Sequence, residues 1–177
     1  MRERRQKYGQ GGGLNKYLSI ITLNIKGVNT PIKRHRVAKW IRKHDLHICS
    51  LQETHIRKND LHQVKVKGCK KIFQANGRGR KAGVAILILD KIDFKTKVIK
   101  RDTEGHFIIL RERIHQEDIN MVNIYAPNIG APKYIRKILE DFKKDIESNT
   151  LILCDFNTHC QQWVDLPNKI STKILQH

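Results

Sequence analysis

The sequence predicts a single layered α/β domain with paired hairpins, in which strands outnumber helices. Three observations carry that prediction. Short apolar runs rich in β-branched residues recur along the chain, about eight in all, each of buried-strand length. Only two segments, about residues 31–44 and 135–146, place apolar residues at helical spacing. The strands and helices do not alternate regularly enough for a strictly parallel sheet. Of the 177 residues, 39% are hydrophobic, enough for a buried core and too many for wholesale disorder.

Residues 1–16 combine five basic residues, one acid and a glycine cluster without periodicity, and are expected to form a flexible basic tail. Leu18 to Asn24 then reads as a buried strand. Thr30-Pro31 is an N-cap followed by proline at the first helical position. Val37, Trp40 and Ile41 share one face of a helix ending near His44. Ile48 to Gln52 is a second buried strand, and Gly83 to Leu89 a fully apolar one stopped by Asp90. Phe94 to Arg101 alternates as a half-exposed strand does. His106 to Glu112 and Ile119 to Tyr125 are expected to be neighbours, joined by a polar turn. Ile135, Ile138, Leu139, Phe142 and Ile146 mark the clearest amphipathic helix. Leu151 to Cys154 is the last strand. Residues 17–158 are thus the expected domain, and 159–177 an unrelated tail.

Composition excludes several classes of function. The longest apolar stretch, Val84 to Leu89, is far short of the ~20 residues that cross a bilayer. The charged start Met1-Arg2-Glu3-Arg4-Arg5-Gln6-Lys7 has no apolar segment behind it, so no secretory signal is expected. Four cysteines without a CxxC pair predict neither a disulfide framework nor a structural zinc, and a reducing compartment. The expected location is intracellular, in the nucleus. Thirty-five Lys and Arg against 17 Asp and Glu leave +18, which calls for a polyanionic partner, and nucleic acid is the commonest.

Four apolar strands finish in residues able to bind metal or phosphate. They end at Asn24, at Glu53, at Tyr125, and at Asp155 with Asn157 two positions on. Ligands gather where strands of α/β sheets end at their carboxyl edge. Two carboxylates and two carboxamides displayed there form a hard-oxygen donor set, suited to Mg²⁺ or Mn²⁺ rather than zinc. Beside a basic surface, such a set suits hydrolysis of a phosphodiester.

The local sequences sharpen this. Thr22-Leu23-Asn24-Ile25-Lys26-Gly27, Leu51-Gln52-Glu53-Thr54-His55, Asn123-Ile124-Tyr125-Ala126-Pro127-Asn128 and Cys154-Asp155-Phe156-Asn157-Thr158 stand in that order. They resemble the successive motifs of the endonuclease/exonuclease/phosphatase superfamily. The stretch from about Tyr17 to Thr158 is similar in particular to the apurinic-type endonuclease domain of long interspersed (non-LTR) retrotransposons. The resemblance implies a four-layer, DNase-I-like α/β sandwich, incomplete at the C-terminus, with its site at one rim of two packed sheets. It implies Glu53 as principal metal ligand with Asn24 beside it, and Tyr125 on the scissile phosphate. Asp155 would align and activate water, and Asn157 would help hold phosphate or metal; His55 is a neighbour without a role.

The family domain continues beyond the Asp155-Asn157 motif to a serine-aspartate-histidine triplet that has no match after Thr158. The expectation is therefore a DNA endonuclease of Mg²⁺ type, impaired by that loss. The alternatives are a non-catalytic basic nucleic-acid binder and a phosphatase of small phosphoesters.

Overall fold

The computed structural model describes residues 4–8, 18–56, 66–77, 82–91, 93–114, 117–126, 129–144 and 150–154. They form two sheets and two helices. The first sheet has the order β1 (Arg4–Tyr8), β2 (Leu18–Asn24), β3 (Ile48–Gln52), β5 (Val84–Leu89), β4 (Cys69–Ala75). The second runs β6 (Phe94–Arg101), β7 (Phe107–Ile114), β8 (Glu117–Ile124), β9 (Thr150–Cys154). Helix α1 (Pro31–Lys43) connects β2 to β3, and α2 (Ala131–Asp141) connects β8 to β9. Those two connections join parallel neighbours; every other pairing is antiparallel.

The side-chain period of two sorts each strand between two cores. Ile20, Ile48, Ile86 and Ile88 meet Ile108, Leu110, Met121 and Leu153 between the sheets. The alternate residues Ile21, Leu23, Cys49, Leu51 and Leu87 face outward and are covered by α1 through Ile41, Val37 and Trp40. On the other side Ile109, Val122, Ile124 and Ile152 are covered by Ile138 and Leu139 of α2. The layers are helix, sheet, sheet, helix. The four-layer sandwich expected from the sequence is therefore present.

Polar groups pin the two sheets together near one end. The buried Gln52 amide donates to Asn123 Oδ1 at 2.9 Å and to the Leu153 carbonyl at 3.2 Å. Asn123 in turn donates to the carbonyls of Leu51 and Ala85 at 3.1 and 3.0 Å. Close by, the backbones of two turns meet: a Cβ on Gly77 would sit 2.2 Å from the Glu104 carbonyl oxygen, and one on Gly105 2.3 Å from Gly77 N. Only glycine permits that approach.

Two elements depart from the sequence reading. Residues 4–8 of the expected basic tail form a strand, Arg4–Tyr8, paired antiparallel with β2. Ladder hydrogen bonds belong to the backbone, so a polar segment beside an open strand edge pairs without any hydrophobic pattern, and charge is common on such edges. Helix α2 stops at Asp141, with Phe142 at its C-cap, although the apolar spacing runs on to Ile146. Phe142 packs its ring on Phe107, 5.2 Å between centroids, so its place in the pattern reflects packing rather than helix. Asp155, Asn157 and the expected 159–177 tail lie outside the described residues.

Candidate active site at the carboxyl-end rim

Because β2 and β3 are parallel neighbours, their carboxyl ends reach the same rim, with Asn24 in register with Gln52, the residue before Glu53. In the second sheet, Ile124 is in register with Cys154, so the residue before Tyr125 pairs with the residue before Asp155. The Gln52 bonds to Asn123 and Leu153 bring these two pairs of strand ends to one side of the molecule.

Asn24 and Glu53 meet directly. Asn24 Nδ2 donates to Glu53 Oε1 at 2.9 Å, and Asn24 Oδ1 accepts from Lys26 N at 3.1 Å. The carboxamide thus holds the carboxylate in place with its amino end. Among the described residues no Lys or Arg pairs with Glu53, in a chain of net charge +18. A half-buried carboxylate left without a cation suits a hard divalent ion, which accepts one or two carboxylates and retains several waters. The donor chemistry of this pair would suit Mg²⁺ or Mn²⁺, with Glu53 the carboxylate that would hold it. Among the described residues no three His, Cys, Asp or Glu converge on one point.

The backbone here is strained. Lys26, Glu53 and His55 have φ of 45°, 52° and 54°, and they are the non-glycine residues in the left-handed region among the described ones. Each such residue costs roughly 1–2 kcal/mol. The conformation is held by Gly27 N to the Glu53 carbonyl at 2.6 Å, Val28 N to that of Thr54 at 3.0 Å, and Thr54 N to that of Gly83 at 3.0 Å. The His55 ring lies against Gly27, where a Cβ would come within 2.9 Å of Nδ1. Strain concentrated at one rim marks a functional site more often than a scaffold.

Tyr125 continues the rim on the second sheet. Its backbone N donates to the His106 carbonyl at 2.7 Å, and its side chain packs half-buried on the inter-sheet core. That contact leads to a cluster the sequence reading did not single out. Asp102 Oδ2 accepts from His106 N at 2.8 Å and lies 3.3 Å from His106 Nδ1. The His106 ring meets Tyr134 edge-on at 5.8 Å. Burial, and then the Asp102 charge, push the Tyr134 phenol up to about 12. The only signal in the sequence was the four-residue spacing of Asp102 and His106 around Gly105.

The sequence model of the endonuclease/exonuclease/phosphatase family matches residues 21–173, most of the chain and both sides of this rim. The chain belongs to that family. A curated relative, an uncharacterized 149 kDa protein of the transposon TX1 from Xenopus laevis, is 27% identical over 146 residues. That alignment takes in 79% of this chain and 11% of the relative, so the chain spans about a ninth of its length. Among solved structures, the endonuclease domain of TRAS1, a telomere-specific non-LTR retrotransposon, superposes with TM-score 0.55 at 17% identity. It matches 81% of this chain and 61% of the domain. An AP endonuclease from Archaeoglobus fulgidus gives TM-score 0.56 at 21% identity, over 80% of this chain and 58% of the enzyme. As a member of the family, the chain has the fold of DNase-I-like endonucleases, and its Asn24–Glu53 rim lies within the matched region.

Proposed function

We propose that this chain is a divalent-metal-dependent phosphodiester hydrolase acting on DNA, of the retrotransposon endonuclease type. The observation that carries the reading is the Asn24–Glu53 pair: an unneutralised carboxylate held at a strained rim of a protein with +18 net charge. Glu53, with Asn24, Asp155 and Asn157, would hold Mg²⁺ or Mn²⁺. A divalent ion bound there offsets charge on the nonbridging phosphate oxygens.

The side chains supply the rest. Asn24 orients Glu53 through Nδ2. The Tyr125 hydroxyl donates to a phosphate oxygen. Asp155 takes a proton from the attacking water as general base, and Asn157 positions the phosphate. The relatives' names, transposon protein, retrotransposon endonuclease and AP endonuclease, favour DNA as substrate over a small phosphoester. Free thiols at Cys49 and Cys69 accord with an intracellular setting, and DNA with the nucleus.

Nicking of supercoiled plasmid tests the reading, run in Mg²⁺ and in EDTA with Glu53→Ala and Asp155→Ala alongside. The expected result is Mg²⁺-dependent nicking lost by roughly 10²–10³ in each variant, the scale of removing one preorganised catalytic group. DNA binding without any nicking would overturn the hydrolase and leave a basic nucleic-acid binder.

A further inference from the structure

Helix α1 carries charge that the fold does not require. Lys33, Arg34, Arg36, Lys39, Arg42 and Lys43 lie within its 13 residues, which contain no acid. Among the described residues, Lys33 and Arg34 donate only to backbone carbonyls, of Lys26 and of Val28 and Asn29. Among the described residues none of the six has a carboxylate partner.

This arrangement works against helix stability. Like charges at i, i+3 (Lys33 and Arg36, Arg36 and Lys39, Lys39 and Arg42) and at i, i+4 (Lys39 and Lys43) repel. Cations in the first turn also oppose the helix dipole, while Arg42 and Lys43 in the last turn complement it. Helix α2 provides an internal comparison in the same structural role. There Arg136 and Lys137 precede Glu140 and Asp141 by four residues each, so opposite charges rather than like ones meet at that spacing, although acid before base would be the better order.

The helix covers the outer face of the first sheet with Val37, Trp40 and Ile41 and leaves Lys33, Arg36, Lys39, Arg42 and Lys43 in solvent. It begins after the loop leaving β2 at the site rim. It ends at His44, from where the chain enters β3 at the opposite end of the sheet, beside Ser19. Thirteen residues span about 20 Å, the length of roughly six base pairs. A cleft of about 420 Å³ runs along its flank, with Arg34, His35, Arg42 and Lys67 around an apolar floor of Val28 and Leu51.

We infer that the solvent face of α1 is a docking surface for the phosphate backbone of duplex DNA, leading away from the rim along the outside of the first sheet. It deepens the reading above and takes its partner from it: a duplex held at the rim continues along α1, where the five solvent-facing cations meet its phosphates. A substrate is thereby gripped over several base pairs on one side of the scissile bond.

The test is the salt dependence of duplex DNA binding, measured in EDTA so that cleavage plays no part. Lys39→Gln, Arg42→Gln and Lys43→Gln are combined on the half of α1 distant from the rim. Arg136→Gln, Lys137→Gln and Lys144→Gln, combined on and beside α2, remove the same charge elsewhere, and thermal melting verifies that both variants fold. Each lost phosphate contact flattens the slope of log K against log salt by ~0.9, so the α1 variant should be shallower by about 2–3. The α2 variant should change by less than about one contact's worth. Equal changes in both variants, or none in the α1 variant, would overturn the inference, because net charge alone would then account for binding. An α1-dependent slope on duplex RNA with none on DNA would overturn the choice of DNA. Loss of plasmid nicking with the α1-dependent slope intact would defeat the hydrolase and leave this surface standing.

Discussion

Replacing Asn123 by alanine should cost this domain about 3–5 kcal/mol, a large part of the 5–15 kcal/mol that holds a typical domain together. The side chain is fully buried and makes three hydrogen bonds that tie one sheet to the other, accepting from Gln52 and donating to Leu51 and Ala85. Each buried bond contributes about 1 kcal/mol net, and a polar group left desolvated without a partner costs about 1–3 kcal/mol more. Gln52 keeps a second acceptor in the Leu153 carbonyl, and its own Oε1 has no partner among the described residues. The isosteric Gln52→Met is therefore expected to cost less than Asn123→Ala. Equilibrium urea unfolding followed by circular dichroism measures both, and the double variant should show a coupling of about 1–2 kcal/mol. Nicking should fall along with stability, since Asn123 lies two residues before Tyr125 and Gln52 one before Glu53. A loss below about 1 kcal/mol at unchanged m-value would refute the reasoning, because solvent would then be replacing these bonds.

Further outcomes follow from single sites. Gly83→Ala places a Cβ 2.3 Å from Thr54 Oγ1 at φ +137° and should destabilise by more than about 2 kcal/mol in the same urea assay. Adding Thr54→Ala removes the clashing hydroxyl, itself unpartnered, and should recover part of that loss. Thr30→Ala deletes the oxygen that accepts from Lys33 N and should cost about 1 kcal/mol, read as a lower melting temperature. Absorbance at alkaline pH should show the Tyr134 phenol titrating near about 12. Since its folded value is raised, the unfolded chain ionises first there, and stability should decline as pH rises from about 10 towards about 12. A Tyr134→Phe variant that declines equally over that range would remove Tyr134 as the cause.

The strands most legible in the sequence are those packed on both faces. Leu18–Asn24, Ile48–Gln52 and Val84–Leu89 have apolar side chains on both faces because each lies in a sheet covered twice, and such strands announce themselves as short β-branched runs. The Thr30-Pro31 start of α1 was equally plain, since a capping hydroxyl and a proline act locally. Strand β1 was not, because its place depends on a partner edge rather than on its own composition. The same division applies at the rim. Asn24, Glu53 and Tyr125 could be named because each ends an apolar run. Their relative placement could not, because it rests on Gln52 and Asn123, polar residues inside strands 71 positions apart. Asp102 and His106 were missed for a similar reason: they meet within one turn, and a backbone bond from Tyr125 to His106 joins them to the site.

The two helical crossovers have a consequence for how the rim would move. Strand β2, helix α1 and strand β3 form one parallel unit, and β8, α2 and β9 another, each lying in its own sheet with a separate apolar core beneath its helix. Glu53 belongs to the first unit and Tyr125 to the second, so the candidate site straddles the seam between two halves like the jaws of a clamp. A fluctuation that parted the halves by an ångström would separate the two residues while leaving both sheets intact. The Gln52–Asn123 clasp and the Gly77–Gly105 contact cross that seam at the mouth of the clamp, where leverage on the opening is greatest. Hydrogen exchange at rim amides would then report the breathing of the jaws well before either half unfolds.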